Sequence, residues 1–207
     1  MKQAVLLSLA ALAALAILSL GHSQARADQA AYAVCIACHG ANGEGNATLN
    51  SPALASQEVW YVERQLKNFK SGVRGSHKDD LFGMQMRPMA RVLVDDAAIS
   101  KVANHIAVMP AAEFENTIEG NVDNGKKLYA ACGACHGADA KGNQAMNGPN
   151  LLIQQDWFVA RQLKNFKSGV RGSDSKDLFG MQMRPMSMTL TSDQAINDLV
   201  AYLNSLR

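Results

Sequence analysis

Two cysteines three residues apart, followed at once by a histidine, occur twice in this chain: Cys35-Ile36-Ala37-Cys38-His39 and Cys132-Gly133-Ala134-Cys135-His136. On one helical turn the two thiols share a face, and the histidine stands i+4 from the first cysteine. Thiols so placed can each bond a vinyl group of one flat porphyrin while the imidazole is carried towards the metal at its centre. The pattern is the attachment site for c-type haem. Both motifs together use all four cysteines of the chain, leaving none for a disulfide. The competing chemistry is zinc, whose sites pair two CxxC units about 15 to 20 residues apart. Here the first cysteines lie 97 residues apart, and the spacing argues for haem.

Iron held by a histidine on one face needs a second ligand on the other. Each copy offers methionines in what reads as a loop: Met84, Met86 and Met89, then Met181, Met183 and Met186. Thioether sulfur favours ferrous iron, and a Met/His pair suits electron transfer. The remaining methionines read as flexible core filler. Pattern alone does not choose among the three.

The two motifs belong to an internal repeat. A shift of 97 residues lays Cys35 on Cys132, Trp60 on Trp157 and Met86 on Met183 without a gap. From 35 to 106, 41 of 72 aligned pairs are identical, too many for shared composition. RQLKNFKSGVRGS (64–76 and 161–173) and DLFGMQMRPM (80–89 and 177–186) are unbroken, whereas the terminal helix differs at most positions. That unevenness points to a shared constraint on the middle of each copy. The expected division is an N-terminal domain at 28–110, a linker at 111–120 and a C-terminal domain at 121–207. Each is near the lower size at which a core stabilises itself, and a buried haem would supply part of that core.

Those domains read as all-α. Val59, Val62, Leu66 and Phe69 fall at helical spacing. Gly72 and Gly169 stand where left-handed C-caps would stop two helices. Thr191-Ser192-Asp193-Gln194 resembles a capping box before the last helix, and Asp95 or Asp96 must cap the equivalent helix of the first copy. No period-two run is long enough for a strand.

Residues 1–27 read as a signal peptide, with Lys2 ahead of an apolar run from Ala4 to Leu20 and a small-residue cleavage site at Ala25-Arg26-Ala27. The expected location is periplasmic; a retained N-terminal anchor is the alternative. Without Lys2 and Arg26 the basic and acidic residues balance at 18 each, so nothing suggests nucleic acid as a partner.

Several residues carry weaker signals. Trp60 and Trp157 read as packing or as neighbours of a haem edge. Arg87 and Arg184 read equally as partners of haem propionates and as surface charges. A basic ridge of Arg64, Lys67, Lys70 and Arg74, repeated as Arg161, Lys164, Lys167 and Arg171, reads as a solvated helix face or a docking surface. His105 aligns with Tyr202 and reads as a packing residue.

With these motifs the mature chain resembles the di-haem cytochrome c4 family, in which two class I cytochrome c domains stand in tandem. The resemblance implies two covalently bound haem c groups. It also implies axial methionines seven residues before the leucine that opens the last helix, which are Met86 before Leu93 and Met183 before Leu190. Each lies 47 residues after its histidine. Leu93-Val94-Asp95 departs from the family's Leu-Ser-Asp. The resemblance further implies that the carbonyls of Pro52 and Pro149 accept a hydrogen bond from the ligating imidazoles. The function it implies is a non-enzymatic carrier of single electrons. Its donor would be a quinol-oxidising complex or dehydrogenase and its acceptor a terminal oxidase, with peripheral membrane association allowed. The alternatives are a cytochrome subunit of a dehydrogenase or oxidase complex and, further off, a di-haem peroxidase.

Overall fold

The computed structural model describes residues 28–207, so the expected signal peptide at 1–27 lies outside the described residues. A helical stretch at 28–32 and a short 3-10 turn lead into α1 (Ile36–His39), which carries the first haem motif. Three longer helices follow, α2 (Val59–Ser71), α3 (Leu81–Arg91) and α4 (Asp96–Ala107). After residues 110–121, which have no regular secondary structure, the order repeats: α5 (Val122–Tyr129), α6 (Gly133–His136), α7 (Asp156–Ser168), α8 (Leu178–Met188) and α9 (Asp193–Asn204). Among the described residues the only β-type pairings are isolated bridges, Asn46 with Ser51 and Asn143 with Gly148.

Each copy encloses its own core. Val62, Leu66 and Phe69 turn one face of α2 inwards at i, i+4 and i+7, where Ile99, Val102 and Ile106 of α4 meet them. Val159, Leu163 and Phe166 do the same on α7. Gly72 and Gly169 end these helices in the left-handed region, at φ 84° and 80°, where only glycine is free of strain. Tyr32 and Tyr129, at matching positions, each donate a hydroxyl hydrogen bond to the carbonyl after the haem histidine, Gly40 at 2.9 Å and Gly137 at 2.7 Å.

Two local expectations need correction. The methionine-rich segments are helices, because Asp80 and Asp177 cap them by accepting from the amides of Gly83 and Gly180, both at 3.1 Å. Pro88 and Pro185 sit inside these helices and masked them in the sequence, since proline lacks the donor that would reach back four residues. The cap of α9 is Ser192, which accepts from Ala195, rather than Thr191; Gln194 turns instead to Asp198. In the first copy Asp95 caps α4.

The connecting segment is strapped to the second domain. Asp156, fully buried, accepts from the amides of Thr117 and Ile118, from the Thr117 hydroxyl and from Asn204. Burial works against its charge, but the Thr117, Ile118 and Trp157 donors outweigh that and hold the carboxyl below the usual range. Asp198 is also lowered, by hydrogen bonds from Asn124, Asn121 and Gln194.

Candidate functional site

α1 and α6 each present the haem histidine at the last helical position, and folding buries both rings: His39 is 5 % exposed and His136 6 %. The Nδ1 of His39 lies 2.8 Å from the Pro52 carbonyl, and that of His136 lies 2.9 Å from the Pro149 carbonyl. A carbonyl oxygen can only accept, so Nδ1 carries the proton and Nε2 keeps its lone pair. Burial lowers the basicity of both imidazoles against the opposing effect of the proline carbonyls. The rings are thus held neutral and aimed, as metal-binding histidines are.

Beside each ring, Cys35 and Cys132 pack against the core of their own domain. Burial, then the neighbouring Cys38, pushes the Cys35 thiol up to about 11, and burial raises Cys132 as well. Protonated thiols in apolar surroundings suit thioether formation better than a thiolate zinc site. Among the described residues no three His, Cys, Asp or Glu side chains gather as a metal-binding set.

The methionine helices sort the three candidates of each copy by face. Met86 and Met183 are partly buried and pack against the two cores. Met84, Met89 and Met181 are exposed, and Met186 is half-buried without joining the core. Each domain therefore combines a neutral buried imidazole, two thiols and one core-facing thioether, a donor set that fits haem c.

The basic ridge is neither a free helix face nor a docking surface, because half of it turns into the other domain. Arg64 donates to the Asn147 side chain at 2.8 Å and its carbonyl at 3.3 Å, and Arg161 returns the pattern to Asn50, both at 2.9 Å. Each guanidinium stacks on its own tryptophan and on a phenylalanine of the partner domain. Arg64 lies 4.8 Å from Trp60 and 4.4 Å from Phe179; Arg161 lies 4.7 Å from Trp157 and 4.5 Å from Phe82. Arg74 bonds Gln65 and Gln162, and Arg171 bonds the same two glutamines, so two buried guanidinium groups share one ring of amides. Burial, then the charge of Arg171, pushes Arg74 down to about 9. Lys67 and Lys164 instead pair with Asp96 and Asp193 on the surface. The Nε atoms of Arg74, Arg171, Arg87 and Arg184 are buried without a hydrogen-bond partner. Such orphaned donors fit an anionic group that is not part of the protein.

Sequence reasoning missed a further pair. Glu58 and Gln155 stand at equivalent positions of the repeat, and each reaches across to the residue after the other domain's histidine-accepting proline: Glu58 accepts from Asn150 at 2.8 Å, Gln155 from Ala53 at 2.7 Å. The available signal was their position, two residues before each tryptophan.

Known proteins resemble this chain in sequence and fold. The cytochrome c family model matches twice, at residues 25–109 and 122–207. A cytochrome c4 from Stutzerimonas stutzeri is 30 % identical over 217 residues, 98 % of each chain. The crystal structure of reduced recombinant cytochrome c4 from Pseudomonas stutzeri superposes with a TM-score of 0.67 at 27 % identity, covering 88 % of this chain and 98 % of that one. A thiosulfate dehydrogenase electron acceptor from Stutzerimonas stutzeri (strain A1501) is 32 % identical over 177 residues, 80 % of this chain and 77 % of its own.

The chain belongs to the cytochrome c family, in its di-haem cytochrome c4 branch. As a cytochrome c4 it has two tandem helical domains, two covalently bound haem c groups at its CxxCH motifs, and the role of an electron carrier.

Proposed function

We infer that this cytochrome c4 is an exported, periplasmic shuttle that takes single electrons from a membrane respiratory oxidoreductase and delivers them to a terminal oxidase. Haem c supplies the reversible one-electron chemistry when bound. Cys35 and Cys38, and Cys132 and Cys135, would hold the two groups covalently; His39 with Met86, and His136 with Met183, would supply the protein's donors to the two irons. Pro52 and Pro149 orient the imidazoles through Nδ1. Arg74, Arg171, Arg87 and Arg184 offer their unpartnered Nε donors to the propionates, which would relieve the like charge shared by Arg74 and Arg171.

The observation that carries this reading is that both domains turn a single methionine of three towards the core against which the first cysteine of their CxxCH motif packs. Two irons each held by His and Met would have no position left for a substrate, which disfavours a peroxidase. The test is a spectroelectrochemical titration of Met86→Ala and Met183→Ala. Each variant is expected to lose the methionine–ferric charge-transfer band of one haem and to bind carbon monoxide there. Persistence of both bands would move the assignment to Met89 or Met186, and carbon monoxide binding or peroxide turnover by the native protein would favour the peroxidase.

A second reading draws support from the relative named as a thiosulfate dehydrogenase electron acceptor. In that case a dehydrogenase is the donor, and the cytochrome stays bound to it as a subunit. A free monomer on purification supports the shuttle; a stable complex supports the subunit.

A further inference from the structure

The turn between α3 and α4 and its copy between α8 and α9 share one backbone, so their side chains compare position by position. Val92 and Thr189 end the two methionine helices at φ −67°, ψ −20° and at φ −66°, ψ −22°. Leu93 and Leu190 are buried next to them, and Lys70 and Lys167 donate to the carbonyls of those leucines. On this common frame the first domain exposes Val92 (52 %) and Val94 (81 %), where the second exposes Thr189 and Thr191. The fold accepts either a methyl or a hydroxyl at both places.

The apolar choice still has a cost. Thr189 donates its hydroxyl to the Met186 carbonyl at 2.7 Å, satisfying an acceptor at the end of α8. Val92 has no hydroxyl to offer the matching Met89 carbonyl and turns methyl groups to water instead. Met89 is exposed too, three residues earlier on the same face of α3, and it extends the patch. Val94 is also where the chain departs from the Leu-Ser-Asp of the family it resembles. Single apolar residues scattered over a surface need no explanation. A contiguous group that forgoes the hydroxyls its own copy keeps does need one.

The rim of this patch is cationic. Arg91 is exposed, with its Nε 3.5 Å from the Lys70 carbonyl, and Lys70 donates to the Val94 carbonyl at 3.0 Å. Lys70 is the residue of the α2 ridge that neither crosses to the other domain nor meets a carboxylate, and Arg91 forms no ion pair among the described residues. The nearby carboxylates are engaged within the domain, Asp95 with the Ala98 amide and Asp96 with Lys67. An apolar centre with unpaired positive charge at its edge complements an apolar surface flanked by carboxylates. A bilayer would call for aromatic or leucine anchors, which the patch lacks. Its small extent matches the brief encounters of redox proteins, which bury less than about 1,200 Å².

We propose that Val92 and Val94, with Met89 and Arg91, form a docking surface for the redox protein with which this carrier exchanges electrons, and that this partner presents an apolar patch rimmed by carboxylates. α3 also carries Met86, three residues before Met89, so a partner seated there lies against the helix that offers the candidate axial ligand. The inference rests on the shuttle reading given above.

The experiment follows oxidation of the reduced holoprotein by washed membranes of the cells that make it, across a range of holoprotein concentrations. Val92→Thr combined with Val94→Thr gives the first domain the side chains of the second. This double variant is expected to raise the half-saturating concentration on the order of tenfold and to leave the maximal rate unchanged. Its unfolding midpoint should equal or exceed the native one, because the added hydroxyl can reach the Met89 carbonyl. Salt should raise the native half-saturating concentration, and Arg91→Gln should flatten that dependence. Val108→Ser copies Ser205 at the other end of α4, roughly 20 Å away, and should change nothing. An unchanged half-saturating concentration in the double variant would overturn the proposal, as would an equal rise in Val108→Ser. So would native holoprotein binding to vesicles of phosphatidylethanolamine and phosphatidylglycerol that the double variant loses, since the patch would then be a lipid contact. Native holoprotein that the membranes fail to oxidise would instead sink the shuttle reading beneath it.

Discussion

Helices α2 and α3 differ from α4 in how faithfully their copies reproduce them, and the contacts explain the difference. The unbroken blocks at 64–76 and 80–89 hold Arg64, Gln65, Arg74 and Phe82, and their copies hold Arg161, Gln162, Arg171 and Phe179. In a two-fold interface every residue meets the counterpart of its own neighbour, so the same contact must be kept in both copies. Arg64 with Asn147 and Arg161 with Asn50 are such a pair. The terminal helices face only their own domains. There Tyr32 meets His105 at 5.4 Å between ring centroids, and Tyr129 meets Tyr202 at 5.5 Å, so each copy can vary with its local partner. Repeat identity in this protein marks the surface shared between domains more than the interior of each.

One clear departure from two-fold symmetry is Asp156, whose counterpart in the first domain is Val59. Asp156→Ala would leave the Thr117 and Ile118 amides without acceptors and is expected to lower unfolding free energy by roughly 3 kcal/mol, read by guanidinium titration of the holoprotein. A similar truncation, Val59→Ala, should cost less, because no hydrogen bond depends on it. Because the folded carboxyls of Asp156 and Asp198 are lowered, their stabilisation is complete above the unfolded value of about 3.9. It is lost as pH falls through their lower folded values. Acid should therefore loosen the strap at 111–121 before the first domain changes, which hydrogen exchange of the Thr117 and Ile118 amides would detect.

Next in size are the crossing arginines. Arg64→Ala and Arg161→Ala each remove two hydrogen bonds and a stacked cation, and each should cost about 2 kcal/mol. Equality is the sharper expectation: costs that differ by more than a factor of two would break the symmetry argument. The variants should also raise the mobility of one domain relative to the other, visible as faster tumbling anisotropy in NMR relaxation.

Much of this architecture could be read before any coordinates. Cysteine and histidine spacing gave the haem motifs, the 97-residue shift gave two domains, and helical periodicity gave the buried faces of α2 and α7. What stayed hidden has a common physical cause. Periodicity states which face of a helix a residue occupies, but not which body covers that face. Arg64 lies opposite its own core, as solvated residues do, yet the second domain covers it. Glu58 and Gln155 were invisible for the same reason, since their partners are backbone amides of another domain. The methionine helices were hidden differently. Gly83 and Pro88 interrupt the usual helix composition, and the Asp80 cap that compensates for them is a geometric fact.

The smallest effect belongs to the surface pairs, which are as symmetric as the interface and test whether symmetry alone implies importance. Lys67 meets Asp96 at 2.8 Å and Lys164 meets Asp193 at 2.7 Å, with the aspartates 78 % and 73 % exposed. Exposed ion pairs gain little, because water and salt screen them and two long side chains must be ordered. Lys67→Ala and Lys164→Ala are each expected to leave the unfolding midpoint unchanged within error, at low and at high salt. Loss of the half-buried Arg64 or Arg161 contacts should weaken the protein at both. If the lysine variants matched the arginine ones, repetition would be tracking the whole α2 surface, and the case for the domain interface as the shared constraint would fail.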